Sequence, residues 1–110
     1  MDLRQQRCTP CRGGIPPLSM TEANDLLASV PGWMLEGGAT RLRRHFGFPD
    51  FVSALAFVNR IGALAEEEGH HPDLHFGWGY VDVVVYTHAI AGLHVNDYIL
   101  AAKIDALPTA

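Results

Sequence analysis

Apolar positions recur along this chain with two different spacings, and the changes from one spacing to the other mark its elements. Ser19-Met20-Thr21-Glu22 has the form of a capping box, in which the serine oxygen takes the Glu22 N–H and the glutamate reaches back. A helix is expected from about 20 to 29, with Leu26, Leu27 and Val30 inward, stopped by Pro31-Gly32. Trp33 to Leu35 is short and apolar, and Glu36-Gly37-Gly38 offers a turn. From Thr40 to Phe48 the pattern alternates: Leu42, Arg44, Phe46 and Phe48 share one face, with Arg44 the polar exception. Pro49-Asp50 opens the strongest helical pattern, about 50 to 68, with Phe51, Leu55, Val58, Ile61 or Gly62, and Ala65 on one side. Gly69 suits the left-handed position that ends a helix. A second hairpin follows: Leu74, Phe76 and Trp78, a turn through Gly77 and Gly79, then Val81 to Tyr86 with Val81, Val83 and Val85 on one face. A last helix is expected from Val95 to Ala106, burying Val95, Ile99, and Ala102 or the stem of Lys103.

The order helix, hairpin, helix, hairpin, helix predicts an α+β fold in a single domain. Its four strands form an antiparallel sheet with the three helices on one face. The other face or an edge of the sheet is then available for self-association. Residues 1–18 are rich in Gly and Pro and read as a flexible lead-in, which leaves 19–110 as the folded domain.

Composition narrows the function more by exclusion than by assertion. Of 110 residues, 12 are acidic and 8 basic, a net charge of −4 with no dense basic face, which argues against nucleic-acid binding. No apolar run is long enough to span a membrane, and Met1 to Gln6 is too polar for a signal peptide, so a cytoplasmic protein is expected. The two cysteines, Cys8 and Cys11, form a CxxC flanked by Pro10 and Gly13-Gly14. It lacks both the second ligand pair of a structural zinc site and the strand–helix setting of a redox motif.

The chemistry concentrates in histidine, which titrates near 6.5 and can give or take a proton at neutral pH. His70 and His71 follow the end of the long helix, with Pro72 fixing the backbone after them. His88 lies past the far end of the Val81–Tyr86 strand, from where it can return beside that helix end. Glu66, Glu67 and Glu68 crowd a helix C-terminus, where the macrodipole disfavours negative charge, and such a broken rule beside a histidine pair points to a site. His45, His75 and His94 are read as bystanders. Zinc is the rival explanation, since His70, His71, His75 and His88 are enough imidazoles. Adjacent histidines on an extended chain point to opposite sides, however, and Pro72 prevents a helical turn from aligning His71 with His75, so no metal site is expected.

Taken together, Glu66-Glu67-Glu68-Gly69-His70-His71-Pro72, Val81-Asp82-Val83-Val84-Val85-Tyr86-Thr87-His88, Gly92-Leu93 and Asp97 closely resemble the signature of the pterin-4a-carbinolamine dehydratase family. The resemblance extends to Pro31-Gly32-Trp33, Phe46-x-Phe48, Phe51 and Ala101-Ala102-Lys103-Ile104, over about 19 to 105. It implies loss of water from a 4a-hydroxytetrahydropterin to give a quinonoid dihydropterin, a step that regenerates the cofactor of aromatic amino acid hydroxylases. It also implies a homodimer or homotetramer, a possible functional link to such a hydroxylase, and no cofactor of its own. By the same resemblance His70 and His88 are the acid and base, and His71 holds the pterin ring. Glu66 orients His70, the backbone from Thr87 through Ala89 to Ile90 follows the pterin's hydrogen-bonding edge, Pro72 and Trp33 are apolar walls, and Asp97 ties the last helix to the site.

The chain departs from the family pattern at three places. His94 stands where Thr or Ser usually caps the last helix, and histidine is a poor cap, so that start is expected to be frayed or satisfied in another way. Ile90 replaces a cysteine of animal members, and Asn96 a residue that is commonly charged. A non-enzymatic, partner-binding role is the second alternative; relatives of that kind tend to lose the histidines that this chain keeps.

Overall fold

The computed structural model describes residues 3–6 and 15–109; Cys8 and Cys11, and most of the lead-in, lie outside them. The seven expected elements are present: α1 (Met20–Leu27), β1 (Met34–Glu36), β2 (Arg41–Gly47), α2 (Phe51–Glu68), β3 (Asp73–Gly77), β4 (Tyr80–Val85) and α3 (Val95–Asp105). The sheet order is β1-β2-β4-β3, all antiparallel. Two local hairpins are therefore joined side by side through β2 and β4. Leu42, Phe46, Val81, Val83 and Val85 line the buried face, and all three helices lie on it. The opposite face carries Arg43, His45, His75 and Asp82.

Local chemistry sets the ends. Ser19 and Glu22 close the capping box on α1, at 3.2 Å for the Glu22 N–H and 2.9 Å for the Ser19 N–H. Asp50 caps α2 by accepting the Ser53 N–H at 2.8 Å. The β1–β2 turn takes three successive left-handed residues, Gly37, Gly38 and Ala39, a conformation for which two glycines are the inexpensive solution. Gly69 ends α2 at φ 65°, as its lack of a side chain allows.

Three expectations about packing are corrected. On α2 the buried stripe is Ala54, Phe57, Ile61 and Ala65, while Phe51 and Leu55 remain 43% and 38% exposed. The helix is apolar on more than one side, so periodicity alone does not choose the stripe. Phe57 is chosen because it meets Phe46 and Phe48, with ring centroids at 4.8 and 5.2 Å, and its complete burial contributes roughly 2–3 kcal/mol. Second, α3 is buried almost all round, from Asn96 to Ala102 and again at Ile104, because sheet, α1, α2 and the N-terminal turn all touch it. Third, the lead-in is not free throughout. Leu3–Gln5 forms a 3₁₀ turn against α3 with Leu3 only 6% exposed, and the Leu18 N–H donates to Leu93 O at 2.9 Å.

Arg44, the polar exception on the inner face of β2, is resolved by its surroundings. Its guanidinium lies 4.6 Å from the Phe46 ring centroid and 2.8 Å from Asp105, which also accepts the Trp33 indole N–H at 3.0 Å. Burial nonetheless pushes the Asp105 carboxyl above its ordinary range, against the pull of Trp33 and Arg44.

Candidate active site

Two segments meet where α2 ends. After Gly69 the chain runs extended through His70, His71 and Pro72 into β3, whose first residue, Asp73, pairs with Val84 near the end of β4. Beyond β4, Thr87 bridges Gly92, with the Thr87 N–H on Gly92 O at 2.9 Å, and the intervening His88–Ile90 forms a 3₁₀ turn closed by left-handed Ala91. That bridge closes the His88 turn, which faces the residues after α2 across an open space. Between the two segments is a cleft of about 390 Å³, within the range of small-molecule sites. Gly69, His70, His71, Pro72 and Asp73 supply one wall, and Thr87, His88 and Ala89 the other.

Each histidine of the cleft has a carboxylate beside it, in a different setting. His70 is buried, and its Nε2 is 2.6 Å from Oδ1 of the fully buried Asp97. Oδ2 of Asp97 accepts the Thr87 hydroxyl at 2.8 Å and the His94 backbone N–H at 2.9 Å. His71 is largely exposed, with Nε2 2.5 Å from Glu66 Oε2. His88 is 59% exposed, stacks on Tyr86 at 4.1 Å between ring centroids, and has Nε2 4.0 Å from Asp73. Burial is the first cause, and the Asp97 charge the second, that pushes the Tyr98 hydroxyl up to about 12.

Several expected residues stand elsewhere. Glu66 meets His71, not His70, because consecutive residues of an extended chain face opposite sides and Glu66 is on the exposed side of α2. Trp33 does not line the cleft: it is 2% exposed, in the core, with its N–H on Asp105 and its ring edge-on to Phe46. Ile90 is likewise not among the lining residues, and Asp97 lies behind His70 and Thr87. His94 does cap α3, its Nδ1 accepting the Asn96 N–H at 3.2 Å while Asp97 completes the capping box. Asp73 and Tyr86 were not anticipated. Tyr86 is two residues before His88, a spacing that puts both on one side of an extended chain, and this signal was available in the sequence. His45 and His75 stay on the outer sheet face, against Asp82 and Tyr80. Among the described residues no three of His, Cys, Asp and Glu converge as metal ligands.

With this geometry established, comparison with known proteins is specific. Residues 16–107 match the family described as pterin 4 alpha carbinolamine dehydratase. A protein of Methylococcus capsulatus that carries the name pterin-4-alpha-carbinolamine dehydratase is 54% identical over 105 residues, 96% of this chain and 92% of that one. Among solved structures, a transcriptional coactivator/pterin dehydratase from Brucella melitensis superposes with a TM-score of 0.76 at 32% identity, covering 82% of this chain and 96% of that one. A pterin dehydratase-like protein identified as a RuBisCO assembly factor of the alpha-carboxysome gives a TM-score of 0.59 at 29% identity, over 68% of this chain and 87% of that one.

Proposed function

The chain belongs to the pterin-4a-carbinolamine dehydratase family, and from that premise we propose that it dehydrates a 4a-hydroxytetrahydropterin by proton transfer between histidines of the cleft. The enzymatic activity is that of the family; the histidine mechanism and its role in recycling a tetrahydropterin cofactor are the proposal. One observation supports it above the others: the adjacent His70 and His71 and the distant His88 line the same small cleft.

The reaction asks little of a protein. A proton leaves the ring nitrogen beside the hydroxyl-bearing carbon, the freed electron pair closes a C=N bond, and the C–O bond breaks as the hydroxyl takes a proton and departs as water. No hydride moves and no covalent adduct forms, so proton transfer by positioned imidazoles suffices, at roughly 10²- to 10⁴-fold per group. His70 and His88, from opposite walls, are the proton-transfer pair. His71, with Glu66 behind it, contacts the pterin ring, with Pro72 as an apolar wall and the backbone of Thr87 and Ala89 along its polar edge. No cofactor is needed for these steps. The test is an assay with chemically generated 4a-hydroxytetrahydropterin: acceleration over the spontaneous rate is expected, and its absence overturns the reading.

A homo-oligomer working in the cytoplasm beside an aromatic amino acid hydroxylase completes the proposal. No helix among the described residues is long and apolar enough to cross a membrane. The surface suited to a second copy is on α2, where Phe51, Val52 and Leu55 are exposed, and not on the outer sheet face, which is largely polar. Sedimentation at micromolar concentration should give more than one chain per particle.

A further inference from the structure

We propose that Asp97 is a positioning residue that holds His70 in a single tautomer, with the proton on Nε2, and so leaves Nδ1 as the atom that accepts the substrate proton. This rests on the dehydratase reading of the same cleft and goes beyond it by separating the base from the acid.

Three donors converge on Asp97. Its Oδ2 accepts the Thr87 O–H at 2.8 Å and the His94 N–H at 2.9 Å, and its Oδ1 faces His70 Nε2 at 2.6 Å. An ionised carboxylate only accepts, so the hydrogen in the third contact belongs to the imidazole. The other ring nitrogen then carries a lone pair and no proton. Among the described residues Nδ1 has no hydrogen-bond partner, and His70 lines the cleft. The carboxylate cannot turn away to release the ring: its side chain is fully buried, and Thr87 and the start of α3 grip its second oxygen.

The chemical consequence is a division of labour. Nδ1 of His70 takes the proton from the ring nitrogen of the pterin, and the resulting imidazolium keeps its Nε2–H on Asp97, whose charge balances it. The nitrogen's electron pair forms the C=N bond as the C–O bond breaks. His88 gives its proton to the departing hydroxyl, which leaves as water. Being 59% exposed, His88 regains a proton from solvent, and His70 returns its own by the same route once the product has left.

Asp97→Asn separates this role from a structural one. The amide oxygen can keep the Thr87 and His94 donors, so the cap on α3 survives. Its NH₂ group then faces Nε2, which must accept, and the His70 proton moves to Nδ1. Loss of the correct tautomer is among the most damaging changes to a base that an otherwise intact site can suffer. The measurements are nitrogen–proton correlation spectra of the imidazole rings and steady-state kinetics. The expected result is an Nε2–H signal for His70 in the wild type and Nδ1–H in Asp97→Asn, with kcat reduced about a hundredfold or more and KM changed less than threefold. An Nδ1–H tautomer in the wild type overturns the proposal, and this spectrum needs no variant, so it holds even where Asp97→Asn does not fold. A folded Asp97→Asn with kcat within threefold of wild type overturns it as well. A wild-type protein that shows the Nε2–H tautomer but no dehydratase activity refutes the assigned reaction and with it the base role, leaving only the tautomer assignment.

Discussion

His70 and His71 are neighbours in the chain, and each lies against a carboxylate at hydrogen-bond distance, but the two pairs inhabit different media. The side chains of His70 and Asp97 are 10% and 0% exposed; those of His71 and Glu66 are 60% and 79% exposed. In water such a pair competes with solvent and is worth little. Around the buried pair solvent competes far less, and each group depends on the other. Distance is therefore a poor measure of what a contact does here. The extended backbone after Gly69 turns one imidazole inward and the other outward, and this turn makes one a fixed group of the protein and leaves the other adjustable.

The contrast can be broken most forcefully from the carboxylate side. Asp97→Ala strands the His70 ring N–H, the Thr87 hydroxyl and the His94 N–H, and should lower unfolding free energy by about 3 kcal/mol in urea titrations. Glu66→Ala should leave the urea midpoint unmoved. Similar losses in the two variants would erase the distinction.

Activity gives the second test. His70→Ala should slow dehydration about a hundredfold and His88→Ala at least tenfold, whereas His45→Ala and His75→Ala, on the outer sheet face, should keep wild-type rates. His71→Ala should act mainly on KM, since its ring is free to move. Wild-type turnover in both His70→Ala and His88→Ala would end the acid–base mechanism.

The same helix end supplies a third comparison, in which sequence position is nearly constant and burial changes. Glu68, two residues after Glu66, has a side chain only 3% exposed and meets Lys103 at 2.8 Å, with that lysine 16% exposed. Lys103→Met should cost roughly 2 kcal/mol, and adding Glu68→Gln should restore part of it. A loss as small as that of Glu66→Ala would show that burial is not what separates these carboxylates.

The smallest effect expected is at high pH. Tyr98, whose hydroxyl donates to Ala23 O at 2.8 Å, has its ionisation moved from 10.0 to about 12. The folded state therefore holds its proton longer than the unfolded chain does, so stability falls as pH rises from the ordinary tyrosine value through the raised one. Tyr98→Phe should remove that slope while costing about 1 kcal/mol at neutral pH.

Much of this was legible in the residues alone. Capping boxes, left-handed glycines and two-residue alternation act over a few positions, so Ser19–Glu22, Gly69 and the Val81–Val85 strand announced their elements. The histidines of the cleft were legible by type and by their place at element ends. What the pattern could not carry was direction in space. It did not choose Phe57 over Phe51 on a helix apolar on several sides, because the choice depends on where Phe46 and Phe48 arrive from another strand. It paired Glu66 with the wrong histidine, because one turn of separation along the chain says nothing about which side of an extended segment a ring leaves from. It made Trp33 a wall of the site, whereas that indole, just before β1, donates instead to Asp105 at the end of α3. Local propensity is written in neighbouring residues and survives without the fold; the partners of His70 and Trp33 stand 27 and 72 positions away, and only the assembled core brings such groups together.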